Sequence, residues 1–387
     1  MKKLIAITLA VVMILSMTAC GKKTAPESET AMAGIEIGYV GKEKNVLAKH
    51  FEIFNLEKDI KLIATYGEDM KISDRILALP KGEKVPKNLP KDVVVVETPA
   101  TNLLLASAPT MSLINSIGGV ENVKMTTKTT WYIDEVKTAL KDKSMIEVGN
   151  SDAPDYETIV ANNPSLSVFS PMLLETSEVI DQLRKLEIKF MVDQSTNELD
   201  ALGRTEWVKV YGALLGKSEE ANKVFADQLA IAKDVESKLK TVAEKDKKSV
   251  LFFYVNSKGV FNVRYEDDYL SNAIKIAGGN GIYASTGAGG VSNIAVEKEL
   301  FYTMAKDADV LIYNSTLGGK PKDLKAVEGR AGDIIKDFKA YKSGDIWATS
   351  PNFYQVSDTL GAMVSDLYTA FYDANASDEL TYLKKLK

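Results

Sequence analysis

The chain has 387 residues, 48 basic and 53 acidic, with a formal net charge of −5, one histidine and one cysteine. That balance argues against a nucleic-acid partner, which calls for a basic face. A lone histidine, His50, and a lone cysteine leave too few groups for a transition-metal site or for serine–histidine or cysteine nucleophile chemistry.

Lys2 and Lys3 precede an apolar run from Leu4 to Met17, broken only by Thr8 and Ser16. The run is shorter than the roughly 20 residues that cross a bilayer, and it fits the apolar region of a secretory signal. Met17-Thr18-Ala19-Cys20-Gly21 then sets small residues before the only cysteine. This resembles the lipobox of bacterial lipoproteins. The resemblance implies a signal peptide over 1–19, acylation of Cys20 and anchoring to the outer face of the cell membrane, where stable attachment takes more than one acyl chain. Loss of Lys2 and Lys3 with the signal moves the charge from −5 to −7. Residues 20–47 are expected to form a flexible tether.

Extra strands are expected next, over Ala48–Phe54, Lys61–Tyr66 and Arg75–Leu79, followed by a proline-rich loop over Lys81–Lys91. Strand-length apolar runs then alternate with helical patterns. Strands are expected at Val93–Glu97, Val123–Thr126, Ile146–Val148, Leu166–Phe169 and Phe190–Asp193. Helices are expected at Pro109–Ile117, Ile133–Lys141, Tyr156–Asn162 and Glu178–Leu186. Alternation of this kind implies a parallel sheet covered by helices. From 198 to 243 only helical spacing appears, with a break at Gly216 and Ser218. Strands then resume at Val250–Tyr254, Val310–Tyr313 and Asp345–Ala348, between helices Tyr269–Ala277, Glu299–Lys306, Gly329–Phe338 and Asp358–Ala374. The expected architecture is two α/β lobes, 48–200 and 246–387, with mainly parallel central sheets, joined by a long α-helix within 201–245.

Several segments carry a family likeness. They are Val148-Gly149 with Pro154-Asp155-Tyr156-Glu157, Ile159 to Pro164, Gly203-Arg204-Thr205-Glu206-Trp207, Ala277-Gly278-Gly279-Asn280, and Glu299-Leu300-Phe301-Tyr302 with Ala305 to Ile312. In this order they resemble the substrate-binding proteins of bacterial ABC importers for iron chelates, haem and cobalamin. Ser165 stands where that family usually has Asp. The resemblance implies a non-enzymatic, monomeric protein without a cofactor of its own. It would capture an iron chelate (siderophore or haem), or alternatively a cobamide, and deliver it to an ABC permease dimer. An extracytoplasmic enzyme or a sensor lipoprotein is the competing reading. The family further implies permease docking through an exposed glutamate on each lobe, matching Glu157 and Glu299, with Glu297 the rival for the second.

Ligands of α/β lobes bind beyond the carboxyl ends of the strands. Arginine is scarce, five among 48 basic residues, and tryptophan occurs three times. Trp131, Tyr132, Arg204, Trp207, Tyr254, Arg264 and Tyr354 fall in or beside the loops at those ends and are the candidate ligand contacts. Arginine forks suit carboxylate or catecholate oxygens, and flat aromatic faces suit a macrocycle. Haem would further require an axial ligand, for which Tyr254, Tyr265 and Tyr354 are candidates. Gly212 to Ser218 imitates a phosphate loop, but it is one residue short and follows a helix, so it reads as a helix break.

Overall fold

The computed structural model describes residues 30–284 and 292–387. The lipobox and Cys20 lie outside them. Glu36–Lys387 form one compact unit; the preceding residues belong to a separate one, described only from Thr30, where a helix end gives way to a turn.

The unit begins with a five-stranded sheet in sequential order, Tyr39–Lys42, Phe51–Leu56, Lys61–Tyr66, Ile72–Pro80 and Val93–Thr98. The first four pair antiparallel and the fifth parallel to the fourth. Two expectations change here. Tyr39–Lys42 is a strand inside the stretch read as tether. Val93–Thr98, read as the opening strand of the first lobe, completes this N-terminal sheet instead. Its four valines pair with Arg75–Ala78, so its apolar run is satisfied by a β-partner that the sequence could not name.

The first lobe has an all-parallel sheet in the order Phe190–Val192, Leu166–Phe169, Leu103–Ala106, Val123–Thr126, Ile146–Glu147. Its central strand, Leu103–Ala106, was not anticipated. A fully buried strand shows no alternation, and four apolar residues do not distinguish strand from helix. Helices Ala108–Ser116, Asp134–Lys141, Tyr156–Asn162 and Ser177–Lys185 flank the sheet, close to their expected bounds. Asp155 caps the third by accepting from Thr158 N, and Asn163 ends it in the left-handed conformation.

The connection between lobes comprises helices Ala201–Glu206, Val208–Leu215 and the long Ser218–Leu239. Gly216, at φ +65, produces the break before the last. Ala221 and Phe225 of the long helix pack in the core of the first lobe, whereas Ala232 and Val235 pack in the core of the second. One rigid rod of 22 residues is therefore anchored at both ends.

The second lobe has parallel strands Ser249–Val255, Val310–Tyr313 and Ile346–Thr349 at the centre of its sheet. Antiparallel strands Phe261–Arg264, Asn293–Val296 and Leu383–Lys385 extend its edges. None of these three was expected. The region read as one helix over Gly329–Phe338 is the end of helix Leu324–Ala331 and, past Gly332 at φ +78, a 3-10 turn over Asp333–Asp337; helix Lys339–Ser343 follows it.

Candidate ligand cleft

The linker turns sharply around Glu198 and Glu206, two buried carboxylates. Glu206 accepts from the backbone N–H groups of Val46, Leu47 and Ala48 at 2.7–3.0 Å and pairs with Lys209 Nζ at 2.6 Å. Glu198 accepts from Lys49 N and His50 N and from Trp207 Nε1 at 3.0 Å. Burial raises the Glu198 pKa against these hydrogen bonds. Trp207 is fully buried, its ring edge-on to Phe51 at 5.2 Å. Trp207, expected at the ligand, thus has no surface to offer one: it fastens the N-terminal sheet to the linker.

Arg204, one turn before Trp207, points the other way. It is half-buried and donates to the carbonyls of Glu198 (Nε, 3.0 Å) and Thr196 (Nη2, 2.5 Å). Its guanidinium lies 3.6 Å from the ring centroid of Tyr269, the first residue of helix Tyr269–Ile276 in the second lobe. A desolvated contact of this kind is worth about 2 kcal/mol. Burial lowers the Arg204 pKa, while Tyr269 and Asp268 oppose the shift. Burial likewise drives the Tyr269 hydroxyl far above its ordinary range.

Arg264 approaches Tyr269 at 5.8 Å but is only 2% exposed. Its Nε donates to Asp268 Oδ1 at 2.9 Å and its Nη1 to Asn293 Oδ1 at 3.1 Å. Burial works to lower its pKa, but Asp268 prevails and the net direction is up. Its Nη2 lies 2.6 Å from Asp268 Oδ1 as an ion pair but has no hydrogen-bond partner among the described residues, so Arg264 is tied to its own lobe behind the other side chains. Tyr265 is also buried.

Tyr254 and Tyr354 are half-buried on the second lobe. Burial raises the Tyr254 pKa, with Tyr354 adding to it and Arg264 opposing. Tyr354 OH accepts from Asn314 Nδ2 at 2.8 Å. The neighbouring Gln355 bridges the lobes: its Oε1 accepts from Tyr132 N at 3.0 Å and its Nε2 donates to Thr130 O at 2.8 Å. Lys320 joins it, donating to Tyr132 OH at 2.5 Å with its ammonium 5.1 Å from the ring centroid. Trp131 is buried beside Tyr132, and its indole N–H has no hydrogen-bond partner among the described residues; nor has the buried hydroxyl of Ser350, just past strand Ile346–Thr349.

The structure therefore brings together Trp131, Tyr132, Arg204, Tyr254 and Tyr354, with Arg264 behind them, and sets Trp207 apart. The sequence reading missed Tyr269, Gln355 and Lys320. Tyr269 follows Asp268, whose side chain accepts from Leu270 N as a helix cap, and that helix-start signal absorbed it. It also missed exposed apolar residues near the ends of strands: Met172 (70%), Leu174, Leu199 and Leu317. Glu157, Glu297 and Glu299 are exposed, and Glu157 and Glu299 stand in the first turns of their helices. Among the described residues, no group of three or more His, Cys, Asp or Glu is placed to hold a metal ion.

Comparison with known proteins bears on the fold and the family. Residues 106–352 match the model of the periplasmic binding protein family. An uncharacterized lipoprotein of Methanocaldococcus jannaschii is 24% identical over 386 residues, covering 92% of this chain and 89% of the relative. That coverage would be impossible if the whole N-terminal sheet, which lies before the family match, were left out. Among solved structures, a periplasmic heme binding protein from Pseudomonas aeruginosa superposes with a TM-score of 0.59 at 15% identity, covering 74% of this chain and 98% of that one. The periplasmic catecholate-siderophore binding protein of Vibrio cholerae gives 0.55 at 17% identity, covering 69% and 92%. Two α/β lobes on a shared long helix and a family match over most of the chain lead to one conclusion: the chain belongs to the periplasmic binding protein family.

Proposed function

We propose that this protein captures an iron chelate, a siderophore or haem, on the outer face of the cell membrane and delivers it to an ABC permease. The observation that carries the reading is the make-up of the cleft. Phenols, a buried indole and a half-buried guanidinium stand on the facing loops of the two lobes, with unpartnered polar atoms at Trp131, Arg264 and Ser350 and exposed apolar side chains on loops that follow the strands. Such walls suit a ligand with a flat or aromatic body and peripheral oxygens rather than a bare ion. The fold neighbours include proteins described as binding haem and a catecholate siderophore, which supports the same cargo class.

Cys20 is the attachment point in this reading, and Glu157 and Glu299 dock on the permease, one on each lobe. Two separated charge pairs set register without a large apolar interface. Mass spectrometry of protein purified from its host identifies the co-purifying ligand. Titration of ligand-free protein should give saturable binding of haemin or of a ferric catecholate, and no tight binding of iron, zinc or manganese salts. Submicromolar binding of a bare ion would overturn the reading. Replacing Glu157 and Glu299 together by Ala should leave cargo affinity intact and lower uptake several-fold.

A further inference from the structure

The loop between strands Ile72–Pro80 and Val93–Thr98 carries Lys81, Lys84, Lys87 and Lys91, all exposed. Two acids accompany them, and both are taken by cations from elsewhere in the sheet region: Glu83 by Lys58 at 3.3 Å and Asp92 by Arg75 at 2.7 Å. The four lysines have no acidic partner among the described residues. This is a concentration of unpaired positive charge in a chain whose net charge is negative. Pro80, Pro86 and Pro90 stiffen the loop, and Val85, between the lysines, is 59% exposed.

Strand register places the loop relative to the entering chain. Tyr39 pairs with Leu56, Lys61 with Ala78, and Pro80 with Thr98. The first strand of the sheet therefore starts at the end where the loop departs, and the Lys58–Glu83 pair joins the two. Tyr39 and Val40 are exposed there, at 60% and 67%. Because the two strands are parallel, the loop then crosses to the opposite end of the sheet: Lys81 and Lys84 lie near its departure, and Lys91 lies beside the Asp92–Arg75 pair at the far end. Its row of lysines with the exposed Val85 among them matches the chemistry of an anionic bilayer surface: ammonium groups meet lipid phosphates and an apolar side chain meets the headgroup boundary.

We propose that this loop of the N-terminal sheet rests on the anionic lipid surface to which the protein is anchored, orienting the body so that the sheet faces the membrane. The inference rests on the lipid-anchored reading above. The test uses the full-length acylated protein purified from its host, carrying Val85→Cys as its only free thiol and an environment-sensitive label on it. Vesicles contain doxyl-labelled phosphatidylcholine, with or without about 30 mol% phosphatidylglycerol.

Flotation reports anchoring and quenching reports contact. The expected result is flotation with both vesicles, but quenching at least about fivefold greater with phosphatidylglycerol. That excess should be lost in about 0.5 M salt and in the variant Lys81→Gln/Lys84→Gln/Lys87→Gln/Lys91→Gln, which should still float. A protein that floats without quenching, or is quenched equally on neutral vesicles, overturns the inference and leaves the anchor standing. A protein that fails to float overturns the anchor and the inference together.

Discussion

The junction around Glu198 and Glu206 and the contact of Arg204 with Tyr269 both draw on the short segment 198–206, and both bury charge. At the junction, five successive backbone N–H groups from Val46 to His50, one indole and one ammonium saturate two carboxylates. Between the lobes, Arg204 uses two donors on carbonyls and lays its face on Tyr269, while Arg264 Nη2, Trp131 Nε1 and Ser350 Oγ have no hydrogen-bond partner among the described residues; at the junction the neutral Asn45 Oδ1 is left over, but neither carboxylate is. A saturated buried charge has nothing left for a ligand. A partly satisfied cluster can still gain by accepting one, because each orphaned buried group costs about 1–3 kcal/mol until it is paired. The contrast separates scaffold from site within a single motif, Gly203 to Trp207.

The largest test of this contrast is Glu206→Ala. It strips three N–H groups of their acceptor and leaves Lys209 buried without its partner, so folding stability should fall by about 3–5 kcal/mol. A urea midpoint corresponding to less than about 1 kcal/mol would break the assignment of the junction as scaffold.

Arg204→Ala should act on the other side. Cargo affinity should drop roughly 30-fold, about 2 kcal/mol, the worth of a hydrogen bond from a charged donor to the ligand, with a smaller loss of stability than Glu206→Ala. Equal losses of stability in the two variants would erase the distinction.

Asp358 is an intermediate case, a half-buried carboxyl facing Ser112 of the first lobe with hydrogen bonds but no cation among the described residues. Burial raises its pKa to about 6. The folded chain therefore keeps this group protonated at pH values where the unfolded chain has lost the proton. Stability should fall as pH rises from about 4 through about 6. Asp358→Asn should flatten that slope and stabilise the protein at neutral pH by on the order of 1–2 kcal/mol, allowing for partial solvent screening. Thermal melts across pH check both signs.

The smallest effect is expected at Gln355, whose side chain makes two hydrogen bonds across the cleft. Gln355→Ala should cost about 1 kcal/mol and widen the lobes by a few degrees, seen as a slight increase in radius of gyration by scattering. A large expansion would mean that the long helix does not hold the lobes as its two-ended packing implies.

Helices and parallel strands that follow the α/β rhythm were legible because periodicity and caps are local: Val123–Thr126, Tyr156–Asn162, Leu166–Phe169 and Val310–Tyr313 lie where the sequence places them. Leu103–Ala106 and the edge strands were not. Their pairing partners are remote in sequence, and short apolar runs carry no period. The same limit governs the cleft. Loop position alone marked Trp131, Tyr132, Arg204, Tyr254 and Tyr354, yet it marked Trp207 and Arg264 equally well. It could not show that Phe51 and Glu198 enclose one and that Asp268 and Asn293 occupy the other.

By itself the sequence determined the two-lobe α/β class, the helical connection with its break at Gly216, and the loops on which a ligand could be met. These follow from spacing along the chain, which propensity and hydrophobic periodicity report directly. Only the tertiary structure decided which charged side chains are spent and which are left over. Satisfaction depends on backbone N–H groups some 150 residues away, from Val46 to His50 to Glu198 and Glu206, and a donor's availability is a property of the packed neighbourhood rather than of the residue that carries it.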